Sequence, residues 1–192
     1  APKKATLEFF KSIGGIHGTG ILPAAVPGAL SACLLALDKY GTMRFSQVAQ
    51  PTVDLLDNSS DEEWYPRLAR TVRRLVAEES AHSSEGRSAA LDAVHNYFYD
   101  GPIGKELVLW CRERGGLLSE DDLRTYHATT EEPVCSTCRE YGIYKCGFWT
   151  QGPAMLQTLN ILEGYNLSEM KPMNADYIHL VIEAMKLAFA DR

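Results

Sequence analysis

Apolar side chains recur at helical spacing over the first two thirds of the chain. After Pro27, the residues Leu30, Leu34 and Leu37 follow one another at intervals of four and three, the spacing of one helix face. Proline is well tolerated in the first turn of a helix, which suits this start. Cys33 belongs to the same stripe, so we predict that it is a small core residue.

Two further helices are predicted between residues 46 and 79. The first covers 46–56, with Ser46 as its N-cap, a kink or early break at Pro51, and four inward residues: Val48, Thr52, Leu55 and Leu56. The second covers 61–79 and has arginines among acidic residues: Arg67, Arg70, Arg73 and Arg74, flanked by Asp61, Glu62, Glu63, Glu78 and Glu79. Because acidic residues flank the arginines at both ends of the helix, the pattern favours a solvated helix face over a patch for an anionic partner.

More helices are predicted at 89–99 and from Pro102 to the glycine pair at 115–116. Ser119 is followed three residues later by Asp122, which is the spacing of a capping box and predicts a short helix. After Thr130 the apolar residues alternate instead of following a helical period. Residues 132–146 are therefore predicted to form a β-hairpin.

A loop over residues 147–152 leads into a helix that begins at Pro153, and a last helix covers 175–191. The first of these is predicted to turn Met155, Leu156, Leu159 and Leu162 inward. The last helix has the most regular apolar stripe in the chain: Ile178, Val181, Ile182, Met185, Ala188 and Phe189. The predicted fold class is mainly α with one small hairpin.

Composition and charge exclude several classes of protein. Of the 192 residues, 45% are apolar and 23% charged, as in an ordinary globular domain. The 19 lysines and arginines are outnumbered by 25 aspartates and glutamates, so a basic nucleic-acid binder is excluded. No apolar run approaches the ~18 residues of a membrane span. The chain has no initiating Met or leader at Ala1, so we expect its start upstream and leave the compartment open between periplasmic or extracellular and cytoplasmic.

Cys135 and Cys138 have the CxxC spacing of zinc knuckles and redox dithiols. Zinc needs four ligands, and His127 is the only candidate for the missing one. In an extended strand, residues three apart point to opposite faces, so we predict two ordinary strand cysteines. The five histidines show no metal-binding spacing, and His95 and His179 are predicted surface or packing residues. We predict no metal and no cofactor.

The loop over residues 147–153 joins a strand to a helix start. Backbone N–H groups at such a junction can bind anionic groups. The alternative is that Phe148 and Trp149 simply pack a tight turn.

Several stretches of the chain, taken in order, resemble the γ-glutamyltranspeptidase family. The matching stretches are Ala1-Pro2, residues 25–28 (AVPG), 98–103 (FYDGPI), 115–123 (GGLLSEDDL) with Tyr126, 159–165 (LNILEGY), and 177–179 (YIH) running on to Glu183-Ala184 and 190–192 (ADR). One such stretch is weak evidence, whereas six in register are strong. They extend over nearly the whole chain.

The resemblance implies an N-terminal-nucleophile hydrolase of αββα fold, whose precursor cuts itself before a threonine. The freed Thr then attacks a γ-glutamyl amide of the glutathione type, with its own α-amine as base. In the family this Thr heads the small subunit, so it is expected downstream of Arg192, and no catalytic residue is assigned within the chain. Residues 1–192 are thus expected to be a single helical segment of the large subunit, without the core sheet strands or the small subunit, and inactive alone.

The resemblance further implies that the hairpin and the last two helices meet the small subunit, and that Thr150, Gln151 and Gly152 border the pocket. Here the chain departs from the family, since many members have a proline-rich segment ending Ser-Ser-Gly-Gly where it has residues 148–153 (FWTQGP). Two alternatives therefore stay open. One is a related acylase with a different amide substrate, and the other is a non-catalytic helical interaction module.

Overall fold

A computed structural model describes residues 1–59 and 62–191. The chain forms two compact units, residues 1–129 and 130–192. The boundary coincides with the change from helical to alternating spacing after Thr130. No helix in the described part is long and apolar enough to cross a membrane.

The described residues of the first unit form helices and no strand, as the apolar spacing predicts. Its helices are α1 Leu7–Ser12, α2 Ala29–Tyr40, α3 Phe45–Asn58, α4 Tyr65–Ala81, α5 Arg87–Tyr99, α6 Pro102–Glu113 and α7 Glu120–Arg124, with a short 3-10 turn at Ser83–Glu85. Helix α4 packs on α3 and α5, while α5 also packs on α2 and α6. Helix α5 is therefore the centre of the unit.

Two apolar clusters form the core of this unit, and residues of α5 take part in both. One cluster joins Leu34, Leu75, Leu91, Val94 and Ile103. The other joins Tyr99, Val108, Cys111, Leu118 and Leu123. The predicted start of α6 at Pro102 is confirmed, and so is the capping box of α7, in which the Ser119 and Asp122 side chains each bind the other's backbone N–H.

The prediction that Cys33 is buried is wrong, because its side chain is exposed. The buried face of α2 is centred on Ser31 and Leu34, which are only 3% and 4% exposed. The phenol of Tyr99 sets this rotation, since it accepts a hydrogen bond from the Ser31 backbone N–H at 3.2 Å. The spacing of apolar residues cannot predict a polar contact between residues 68 apart in the sequence.

Helix α3 differs from its prediction in both its buried face and its length. The residues facing inward are Ala49, Val53 and Leu56, whereas Val48 and Leu55 are 50% and 67% exposed. The helix runs through Pro51 to Asn58 without the predicted break. Ala49, a small residue next to the predicted stripe, allows α4 to approach α3 closely. This packing determines which face of α3 is buried.

The N-terminus of α3 is capped by a carboxylate from another helix rather than by Ser46. Glu79, near the end of α4, is 3% exposed and accepts hydrogen bonds from the backbone N–H groups of Phe45 at 2.6 Å and Ser46 at 2.8 Å. These are among the N–H groups that a helix start leaves unpaired. Glu79 was expected on a solvated face, and that expectation is wrong.

Three of the four arginines of α4 are exposed, as predicted: Arg67, Arg70 and Arg73. Arg73 pairs with Asp57, whereas Arg74 is half-buried and pairs with Glu106 at 3.1 Å. The predicted flanking residue Asp61 lies outside the described residues.

The second unit pairs a hairpin with two helices. Strands β1 Val134–Cys138 and β2 Tyr141–Lys145 are antiparallel, with Ser136 opposite Ile143, which confirms the predicted hairpin. Helices α8 Gly152–Glu163 and α9 Ala175–Ala190 pack on each other, and α8 also packs on β1, with a 3-10 turn at Leu167–Glu169.

The predicted inward stripe of α9 lies largely outside the core of this unit. Only Ala184 and Ala188 are buried. Four larger members of the stripe are exposed: Ile178 at 38%, Ile182 at 48%, Met185 at 44% and Phe189 at 47%. Leu187, outside the stripe, is 59% exposed. Met155 of α8, predicted to be inward, is 45% exposed.

We predict that Glu79→Ala destabilises the first unit by about 2 kcal/mol, because two helix N–H groups lose a charged acceptor in a buried place. Urea unfolding followed by circular dichroism measures the change. Glu85→Ala removes the same charge from an exposed position and should stay within about 0.5 kcal/mol of the wild type. Equal effects of the two substitutions would contradict the capping role.

Candidate functional site

The loop between β2 and α8 is held by the hydroxyl of Thr150. This hydroxyl accepts a hydrogen bond from the backbone N–H of Gly152 at 3.0 Å and lies 3.0 Å from the carbonyl oxygen of Gly147, to which it donates. Thr150 therefore satisfies an N–H at the start of α8, where no other side chain caps the helix. The two hydrogen bonds of the Thr150 hydroxyl therefore restrain the backbone of the loop.

Gly152 is required by a close approach between the helix start and the end of the hairpin. A Cβ at this position would overlap the carbonyl oxygen of Cys146 and lie 2.9 Å from the Cβ of Lys145. Any larger residue would push α8 away from β2. The close approach also fixes the position of Gln151, the residue immediately before the helix.

Gln151 lines an apolar cavity of about 290 Å³ between α8 and α9. The other lining residues are Ala154, Met155, Thr158, Leu159, Met185 and Phe189. Gln151 thus lines the cavity, Thr150 is half-buried in the loop before it, and Gly152 is buried at the start of α8. A cavity of this size and lining suits an apolar group more than a charged one.

Phe148 and Trp149 project from the same loop into solvent, at 86% and 71% exposure. The alternative that they pack a tight turn is therefore wrong. The indole N–H of Trp149 donates to the Glu131 carboxylate at 2.8 Å, which restrains the ring while leaving its face open. The loop presents two aromatic surfaces beside the cavity residue Gln151.

The cysteines of the hairpin behave as strand residues. Cys135 is exposed and Cys138 half-buried, on opposite faces of β1, as their spacing predicts. Within residues 1–59 and 62–191, no three His, Cys, Asp or Glu side chains are placed so that they could hold a metal ion.

The first unit contains a buried polar cluster that the sequence did not reveal. Nε2 of His95 lies 3.2 Å from the Ser31 hydroxyl, and the ring stacks on both Tyr99 and His127. Burial lowers the pKa of His95, and nearby His127 acts in the same direction. Ser31 and His95 are 64 residues apart, so no local motif could have joined them.

The model of the gamma-glutamyltranspeptidase family matches residues 58–192. The chain belongs to this family. The resemblance in the ordered motifs is therefore confirmed. The match contains the whole second unit, including the loop at 147–152 and the cavity beside it.

Two curated relatives illustrate the range of the family. The Acylase ACY 1 proenzyme of Pseudomonas sp. (strain SE83) is 30% identical over all of this chain and 40% of its own length. The glutathione hydrolase proenzyme of Escherichia coli (strain K12) is 26% identical over all of this chain and 38% of its own length. The chain thus spans about two fifths of the relatives it matches.

Solved structures show the same fold. The Helicobacter pylori gamma-glutamyltranspeptidase matches all of this chain and 63% of its own with a TM-score of 0.76 at 23% identity. The cephalosporin acylase of Bacillus halodurans matches with a TM-score of 0.72 at 24% identity, over 41% of its own chain. The predicted fold class is confirmed: the described residues are mostly helical with one hairpin, and the chain matches a portion of each of these folds.

We predict that Thr150→Val speeds hydrogen exchange of the Gly152 amide about five-fold, because the isosteric side chain removes the hydroxyl that accepts that N–H at a cost of about 1 kcal/mol. Exchange measured by mass spectrometry on the peptide containing Gly152 tests this. Thr150→Ser keeps the hydroxyl and should exchange at the wild-type rate. A slow Thr150→Val amide would show that another group satisfies it.

Proposed function

We propose that this chain forms part of the large subunit of an N-terminal-nucleophile amidohydrolase or acyltransferase. The observation that carries the proposal is the family match over residues 58–192. The nucleophile is a threonine downstream of Arg192. Its hydroxyl attacks the carbonyl carbon of the amide, the C–N bond breaks, and the amine leaves with the proton taken from the hydroxyl. Water or an amino acid then takes the acyl group from the threonine.

In this proposal the chain supplies structure and one edge of the pocket rather than reacting atoms. Thr150, Gln151 and Gly152 border the acyl pocket, with Thr150 fixing the loop and Gln151 offering an amide to the substrate. The chain alone is inactive. The parent enzyme needs neither metal nor cofactor, because the threonine carries its own base in its α-amine.

The partner is the small subunit of the same precursor, and the second unit supports this. Helix α9 exposes an apolar stripe that includes Ile178 and Ile182, neither of which lines the cavity between α8 and α9. A helix that faced water would have polar residues there. Binding of the small subunit would bury these apolar side chains, which the packing of α8 on α9 leaves exposed.

The primary substrate class is a γ-glutamyl amide of the glutathione type. A second class, an amide with an apolar acyl group, is favoured by one feature of the loop. The cavity beside Gln151 is apolar, and the neighbouring Phe148 and Trp149 expose aromatic faces where a charged acyl group would need polar ones. A 30% identical relative is named as an acylase.

The test compares two chromogenic anilides on the purified precursor that contains this chain, one γ-glutamyl and one with an apolar acyl group. We expect self-cleavage before a threonine and hydrolysis of at least one anilide, whereas the 192-residue chain alone should hydrolyse neither. Turnover by the chain alone would overturn the proposed division of labour. A precursor that neither cleaves itself nor hydrolyses either anilide would instead support the interaction-module alternative.

If the apolar class is correct, Trp149→Ala should lower kcat/KM for the apolar anilide about ten-fold, because an apolar contact is worth roughly 1–3 kcal/mol in discrimination. Self-cleavage should be unchanged. Tyr141→Ala, an equally exposed aromatic at the hairpin turn, is the matched control. Equal losses on both anilides would indicate a structural rather than a specificity effect.

A further inference from the structure

The buried polar cluster of the first unit joins three stretches that are far apart in the sequence. The Ser31 hydroxyl of α2 lies 3.2 Å from Nε2 of His95 on α5 and accepts the backbone N–H of Ala128 at 2.9 Å. The ring of His127 stacks on His95, with centroids 4.7 Å apart and 12° between the planes. The cluster thus fastens the last residues of the first unit to its two central helices.

The hydrogen bonds are those of a neutral His95. Ser31 already accepts from Ala128, so its own proton is available for Nε2 of the imidazole, which accepts it. With Nε2 accepting from Ser31, the neutral ring carries its proton on Nδ1. This tautomer is assigned from the partners of the ring.

Burial and the nearby His127 favour the neutral form of His95 and lower its pKa, whereas the Asn96 side chain, the Asp92 carboxylate and the backbone of Tyr126 act in the opposite direction. His127 and Tyr126 face it from the segment after α7, and Tyr99 stacks on it from α5. Two carboxylates, those of Asp92 and Asp38, lie near the ring on the cavity side. Asp92 of α5 and Asp38 of α2 line an adjoining cavity of about 350 Å³, into which both His95 and His127 open.

The two carboxylates differ in how far they are already engaged. Asp38 accepts the Ser88 hydroxyl at 2.6 Å and lies 3.8 Å from the Arg87 guanidinium. Asp92 is exposed at the cavity wall, and its charge favours protonation of His95. A charged imidazole would therefore gain an ionic partner by turning towards Asp92, at the loss of its contact with Ser31.

We propose that the stacked pair of His95 and His127 is an acid-sensitive latch. On taking a proton from solvent, His95 leaves Ser31, turns into the cavity towards Asp92, and ends its stacking on His127. Residues 126–128 then lose one of their attachments to α2 and α5. At neutral pH the latch is closed and this end of the first unit is held.

The direction of the pH dependence follows from burial. The pKa of His95 is lower in the closed state than its ordinary value of 6.5, so the open state takes up the proton more readily. The closed state therefore has its full stability above about pH 6.5, and loses it progressively as the pH falls below that value. One proton can change the opening equilibrium by at most about ten-fold per pH unit.

The test is the hydrogen-exchange protection of the Ala128 amide in the full protein between about pH 7.5 and about pH 5, corrected for the intrinsic pH dependence of exchange. We expect protection to fall by several-fold up to about ten-fold over the lowest pH unit. His95→Gln keeps a side chain that can accept from Ser31 but does not titrate, so its protection should not depend on pH. His179→Gln replaces an exposed histidine of the second unit and should behave as the wild type.

Ser31→Ala provides a second variant, with a small change that the fold should tolerate. It removes the acceptor of the Ala128 N–H, so protection should be low at every pH. The latch is overturned by wild-type protection that stays constant on acidification. It is equally overturned if His95→Gln, or Ser31→Ala where His95→Gln does not fold, keeps the wild-type acid response.

Discussion

The first unit depends on the position of one phenol. Tyr99 ends α5, is only 2% exposed, and contributes its ring to the second apolar cluster. Its hydroxyl donates to the carbonyl of Pro27 at 2.6 Å and accepts the N–H of Ser31 at 3.2 Å, so it holds both sides of the α2 start. A buried hydroxyl must be paired in this way, and the pairing fixes which face of α2 is buried.

Other features follow from that anchor. With α2 rotated so that Ser31 points inward, the serine meets His95 one turn before Tyr99 on α5 and receives the N–H of Ala128. Glycine at position 28 leaves room for a side chain at the same junction, because a Cβ there would lie well within van der Waals distance of the hydroxyl oxygen of Tyr126. Polar contacts, in addition to the apolar core, thus position residues 126–128 at the end of the first unit.

The sequence was informative where structure is decided locally and uninformative where distant groups decide it. The start of α6 at Pro102, the Ser119 capping box and the hairpin depend on neighbours a few residues apart, and their patterns predict them. The face of α3 and the burial of Glu79 depend on α3 packing against α4, and the Ser31–His95 contact joins residues 64 apart. The loop at 150–152 could be singled out by its place between strand and helix, but the cavity beside Gln151 requires α9, which follows later in the chain.

The carboxylate of Glu79 has a consequence for how the family can vary in length. Its hydrogen bonds join the end of α4 to the start of α3. The two antiparallel helices are therefore held together at the end opposite their connecting segment. A helical hairpin closed in this way does not rely on a short connection to keep its helices together, and lengthening a surface loop costs little entropy. Insertions between α3 and α4 would therefore leave the closed end of this helix pair, and the core that packs on it, in place.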